Sequence, residues 1–287
     1  MITWESKDGL VKKEILVPGY FSDKPTESSV CTVIINNPQI NNASIQESVN
    51  KIRDELHSEI INDQEKKDII IGKGCSIVDR LLERAIQTMS LCEKSLINLT
   101  VPFDDSQNVI TITMEITLDN AIFHKPIWNW TVKEKYEASL RFKLQGIELF
   151  KANRYFDAFH RFSKACKFII SLVPLEENEE LACKLKELKV MLYNNMAECQ
   201  LLKQNHEHVI TLCNKVLSTD GRNIKALYRR GVSHGNLKDF ERAIADLKLL
   251  LSIDPNNSQA QQKFNYFNEQ WQKSVKTYEN IVKKMFK

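Results

Sequence analysis

Four side chains in the C-terminal half stand out by type and spacing. Lys225 and Arg229 are four residues apart, so a helix would carry both on one face. Lys143 lies three residues before Gly146, and Asn195 two before Ala197, small residues that recur in similarly helical text. Two ammonium groups, a guanidinium and an amide converging on one groove would suit a carboxylate-rich peptide end, through charge-assisted hydrogen bonds. By spacing alone, solvated charges on helix surfaces are the simpler account of the same residues.

Other chemistry finds little support. Gly72-Lys-Gly74 has neither the spacing of a P-loop nor that of a dinucleotide loop, and reads as a strand-end turn. His206 and His208 are two apart, so on a helix they point in different directions and make no metal site. The seven cysteines (31, 75, 92, 166, 183, 199 and 213) are odd in number and form no CxxC, the usage of a reducing compartment with buried thiols. Cys199 and Cys213 read as small core residues, with no His–acid partner to activate them. No catalytic, cofactor-binding or metal-ligating residue is therefore expected, and no cofactor.

The 287 residues suggest about two domains. Forty basic and 37 acidic residues give a net charge of +3, without the concentrated basic excess of a nucleic-acid binder. Apolar stretches such as Phe168–Val173 fall far short of the ~20 residues that span a bilayer. The first nine residues are charged and carry no apolar signal core. These features predict a soluble protein of the cytoplasm, with the nucleus also open, and partners that are neither nucleic acid nor membrane.

The two halves are written in different periods. Up to Asn120 the text is short β-branched runs, such as Val30–Ile35, Ser95–Val101 and Val109–Leu118, with one amphipathic helix at Ile77–Met89. Residues 36–68 are rich in Asn and Gln and are predicted to be a polar insertion outside the core, with a weak helix at Ile45–Ile61. From Trp130 onward the pattern is helical. The small residues Gly146, Ala197 and Gly231 mark three first helices. Their second interval, 231 − 197 = 34, is the tetratricopeptide (TPR) period. The first, 197 − 146 = 51, is one period plus 17, so the helices around 166–192 must be extended. Helix pairs of this kind cannot cover their own apolar faces and must stack. Phe264, Phe267, Trp271, Val275, Tyr278, Val282 and Met285 mark a long helix capping the stack.

The predicted fold is thus α+β: an antiparallel sheet with one short helix over 1–122, with 36–68 as the divergent polar insertion. A linker over 123–131 follows, then an all-α TPR superhelix of three repeats over 132–255 and a capping helix over 256–287. The basic, amphipathic Tyr278–Phe286 segment could also bind calmodulin.

The TPR half resembles the carboxylate-clamp TPR domains of co-chaperones that bind the C-terminal Met-Glu-Glu-Val-Asp peptide of heat-shock protein 90. That family's clamp is Lys, Asn, Asn, Lys and Arg. The resemblance assigns these roles to Lys143, Asn195, Lys225 and Arg229, with Ile147 at the remaining Asn position, where it cannot donate.

The first half resembles the FKBP-type prolyl isomerase domain through Asp8–Leu16, Ile69–Cys75 and Leu81–Lys94 and the strand ending at Leu118. The family's pocket-floor Trp, just before the helix, aligns with Leu82, and a pocket Tyr falls near Ile35. Its Phe-Asp pair belongs to the segment replaced by residues 36–68, and its Tyr-bearing loop is cut to residues 102–107. The resemblance therefore implies a degenerate isomerase pocket. Over nearly the whole chain, Asp8-Gly-x-Val-Lys-Lys, Lys225-Ala-Leu-Tyr-Arg-Arg-Gly and Ile253-Asp-Pro look like the FKBP-like proteins, divergent immunophilins with a C-terminal TPR domain. They imply a non-catalytic co-chaperone linking heat-shock protein 90 to clients such as steroid-receptor-type complexes. Two alternatives stay open: a prolyl isomerase recruited by its TPR domain, and a scaffold for a non-chaperone partner.

Overall fold

The computed structural model describes residues 3–42, 56–58, 60–61, 66–102, 109–172 and 179–285. It divides into two compact units, residues 1–131 and residues 132–287.

In the first unit, strands β1 (Thr3–Glu5), β2 (Val11–Val17), β3 (Val30–Asn42), β4 (Lys66–Ile70), β5 (Lys94–Pro102) and β6 (Val109–Ile122) form one sheet. Its order is β1-β2-β5-β6-β3-β4, with every pairing antiparallel. Because a pleat sends alternate side chains to opposite faces, β6 puts Ile110, Ile112, Met114, Ile116 and Leu118 on one buried face. Helix α1 (Ile77–Ile86) covers that core with Val78, Leu81, Leu82, Ala85 and Ile86. Ser76 caps it, its Oγ accepting from the Asp79 amide at 3.0 Å.

One buried ion pair breaks the apolar pattern. Lys13 donates to Glu93 Oε1 at 2.7 Å and to the Thr88 carbonyl at 2.9 Å. Glu93 also accepts from the Ser95 hydroxyl and the Ser90 amide, both at 2.8 Å. Burial pushes the Glu93 carboxyl up, but these bonds outweigh it and hold the group below its ordinary value.

The polar-insertion expectation for 36–68 needs correction. Residues 36–42 continue β3, pairing Asn36 with Glu115 and Ile40 with Ile112 across a bulge at Asn37 and Pro38. Asn and Gln side chains do not prevent this, because the ladder is built from backbone groups. Residues 66–68 open β4. Between them, Leu56, Ile60 and Ile61 join the same core as α1. Most of the weak helix expected at Ile45–Ile61 lies outside the described residues, as does the shortened loop from residue 103 onward.

The second unit is all-helical: α2 (Val132–Lys151), α3 (Tyr155–Ile170), α4 (Glu179–Leu202), α5 (His206–Leu217), α6 (Ile224–Asn236), α7 (Phe240–Ile253) and α8 (Ser258–Met285). The pairs α2/α3, α4/α5 and α6/α7 are joined by one repeated turn. At its centre stand Asn153, Gln204 and Lys238, all with positive φ (61, 57 and 65°). The amide of the next residue bonds five residues back each time, Arg154 to Leu149, Asn205 to Gln200 and Asp239 to His234, at 2.9–3.0 Å. The turn spacings, 204 − 153 = 51 and 238 − 204 = 34, repeat those of the small residues. At Gly146 a Cβ would stand 2.6 Å from the Phe162 ring, so only glycine lets α2 approach α3 this closely. After α7, helix α8 lays Ala260 and Phe267 against Leu227, Leu247 and Leu250.

Candidate peptide-binding groove

Three first helices supply the candidate side chains: α2 carries Lys143 and Ile147, α4 carries Asn195, and α6 carries Lys225 and Arg229. A groove of about 480 Å³ brings together Ile147, Phe150 and Lys151 of α2, Phe162 of α3, Asn195 and Glu198 of α4, and Arg229 of α6. Its floor is thus apolar and aromatic, and its polar groups, Lys151, Asn195, Glu198 and Arg229, come from the first helices of all three pairs. Lys143 and Lys225 do not line this space. Each sits one turn before a lining residue of its own helix, Lys143 half-buried and Lys225 exposed. Neither makes an ion pair among the described residues.

Arg229 is the most closely held of these groups, its side chain 13% exposed. Its Nε donates to Glu198 and its Nη1 to the Asn194 side-chain oxygen at 3.1 Å. Asn194 in turn donates to Asn223 Oδ1 at 3.3 Å, and Asn223 caps α6 by accepting from the Ala226 amide. The residue that starts α6 therefore also steadies the partner of that helix's groove arginine. The remaining N–H groups of Arg229 make no hydrogen bond among the described residues, leaving donors for a ligand carboxylate. Ile147, at the position of a family amide donor, offers only a methyl-bearing wall.

Sequence reasoning missed Glu198, Asn194 and Lys151. Glu198 is three residues after Asn195 and so shares its face of α4, a signal that spacing could have raised. Arg230, next to Arg229, is satisfied elsewhere. It donates to Asp246 from Nε at 2.8 Å and Nη2 at 2.7 Å, and to Asn214 at 2.7 Å.

Cys199 and Cys213 are buried, and burial pushes both thiols up to about 12, so neither is a nucleophile at neutral pH. His206 meets the Asn236 amide at 3.2 Å, whereas the His208 ring lies 5.5 Å from that of Phe159. In the first unit, Ile35 and Leu82 are at most 1% exposed, both part of the one core that also holds Leu56, Ile60 and Ile61. Leu82 lies inside α1 rather than just ahead of it, because the Ser76 cap starts the helix at Ile77. On α8, Val275, Tyr278, Ile281 and Met285 are exposed. No helix among the described residues is long and apolar enough to cross a membrane.

Comparison with known proteins places both units. Residues 4–122 match the family model of the BDBT FKBP-like N-terminal domain. Residues 131–211 match the Bride of doubletime-like TPR domain, and residues 224–257 a tetratricopeptide repeat. The chain is 26% identical over 286 residues to FK506-binding protein-like of Mus musculus, covering 99% of this chain and 73% of that protein. It is also 26% identical over 289 residues to Protein Bride of doubletime of Drosophila melanogaster, covering 99% of this chain and 97% of the other. The crystal structure of residues 1–211 of CG17282 shares the fold, with a TM-score of 0.56 at 23% identity over 72% of this chain and 97% of that one. The chain is an FKBP-like N-terminal domain joined to a TPR domain, the architecture of the FK506-binding protein-like and Bride of doubletime proteins.

Proposed function

We propose that this chain is a non-catalytic adaptor of the co-chaperone type. Its TPR groove holds the acidic C-terminal tail of heat-shock protein 90 through Lys143, Asn195, Lys225 and Arg229, and other surfaces of the chain meet client proteins, steroid-receptor-type complexes among them. The observation that carries this reading is Arg229: a guanidinium fixed by Asn194 and Glu198, in one groove with Asn195, with donors left over for a ligand. A bond to a charged group contributes about 1.5–3 kcal/mol, or roughly 10–150-fold in affinity. Arg229→Glu removes that bond and adds a like charge. Calorimetry with a peptide ending Met-Glu-Glu-Val-Asp should then detect no binding, while circular dichroism shows unchanged helicity. Unchanged affinity in the variant would sink the clamp.

The non-catalytic half of the reading rests on Ile35 and Leu82. An isomerase pocket needs an open, aromatic cavity around the prolyl bond, and these two positions are aliphatic and closed into the core. The purified chain is expected to leave proline-limited refolding of a test protein at its uncatalysed rate of tens to hundreds of seconds. Acceleration that an FKBP ligand abolishes would overturn this. For the exposed stripe at the end of α8, capping the helical stack is the first reading, and binding to calmodulin or to another partner groove is the second, because the segment is basic and amphipathic.

A further inference from the structure

We infer that Glu198 sets the specificity of the groove, turning it away from a fully acidic tail and toward one that presents its terminal carboxylate beside a cationic side chain. The inference rests on the groove being a carboxylate-tail site. Among the described residues lining the cavity, Glu198 is the one anion, and it faces the most closely held cation. It occupies the Nε edge of Arg229, while Asn194 takes one Nη1 proton. A ligand carboxylate is left with the outer edge of the guanidinium and approaches it within the field of a fixed negative charge. Lys143 and Lys225, which lack any such partner among the described residues, are free to take the terminal carboxylate.

Like charges brought together across an interface oppose binding, and discrimination of this kind comes from a repulsive element as much as from an attractive one. Glu198 is 32% exposed and thus partly screened, so the effect is a matter of about 3–10-fold rather than all or none. A lysine on the ligand next to Glu198 would reverse the sign, gaining an ion pair where an acidic residue meets repulsion.

The test is a cycle between Glu198 and the ligand. Calorimetry on the full chain and on Glu198→Gln, whose amide oxygen still accepts from Arg229, would use the Met-Glu-Glu-Val-Asp tail and its two single Glu→Lys versions. Glu198→Gln should bind the acidic tail about 3–10-fold more tightly than the native chain does, and should lose the native preference for one of the lysine tails. Glu198→Ala, which deletes charge and acceptor together, should shift the ranking in the same direction. Equal affinity ratios across native chain and variants, with the acidic tail bound, would overturn the role of Glu198 and leave the clamp standing. No binding of any tail to any of the proteins would overturn both.

Discussion

Arg229 and Arg230 are neighbours on α6 with separate tasks, and their partners explain the division. Arg230 ties α6 to α7 through Asp246, whereas Arg229 points into the groove with donors to offer. The same scale shows what Ile147 costs the site. Ile147→Asn would restore an amide on the groove wall, and a tail affinity about 10-fold higher is expected in calorimetry. No gain would mean that this wall does not touch the ligand. In the first unit, Glu93 makes stability depend on acid. Its pKa is held below the ordinary value, so its contribution is complete above the normal glutamate range and is lost as pH falls through the depressed value. Glu93→Gln strands the buried Lys13 ammonium, at a cost of about 3–5 kcal/mol at neutral pH. Urea unfolding at pH 7 and pH 3 should show the difference shrinking in acid; a constant difference would contradict the linkage. Lys225 and Arg229 were legible in the sequence because both sit on one helix. The Glu198–Arg229 pair was not, because it spans 31 residues and depends on how two helices pack.

At the level of elements, the repeated turn and the close helix contact make opposite demands on glycine. Gln204 holds a left-handed conformation that costs a side-chain-bearing residue roughly 1 kcal/mol. Gln204→Gly is therefore expected to stabilise the helical unit by about 0.5–1 kcal/mol. Gly146→Ala should destabilise it by about 1–3 kcal/mol, because the added methyl meets the buried Phe162 ring. Chemical denaturation of both variants checks the pair, and shifts of the same sign would contradict the geometry. The TPR elements could be read from sequence because small residues and apolar periods agree over three repeats. The 36–68 segment misled because its composition is polar, whereas its described core residues, Leu56, Ile60 and Ile61, with Ile40 packed against the same core, are scattered through that polar text. The strand over residues 36–42 carries Asn and Gln where an apolar alternation would have announced it, and only its backbone pairing with β6 declares it.

For the molecule as a whole, the two units differ in what they leave open to a partner. The FKBP-like unit is a closed sheet-and-helix core in which Ile35 and Leu82 are packing residues. The TPR unit leaves a groove with an apolar floor and a partly neutralised basic wall. On the proposed function, neutralisation by Glu198 puts most of the tail's recognition on its terminal carboxylate and not on a general acidic character. The most direct test is calorimetry of the full chain with a peptide ending Met-Glu-Glu-Val-Asp beside the same peptide amidated at its C-terminus. Binding of the free acid at about micromolar Kd, near −8 kcal/mol, that disappears on amidation is the expected result. Equal binding of the two peptides, or binding of neither, would contradict the carboxylate clamp.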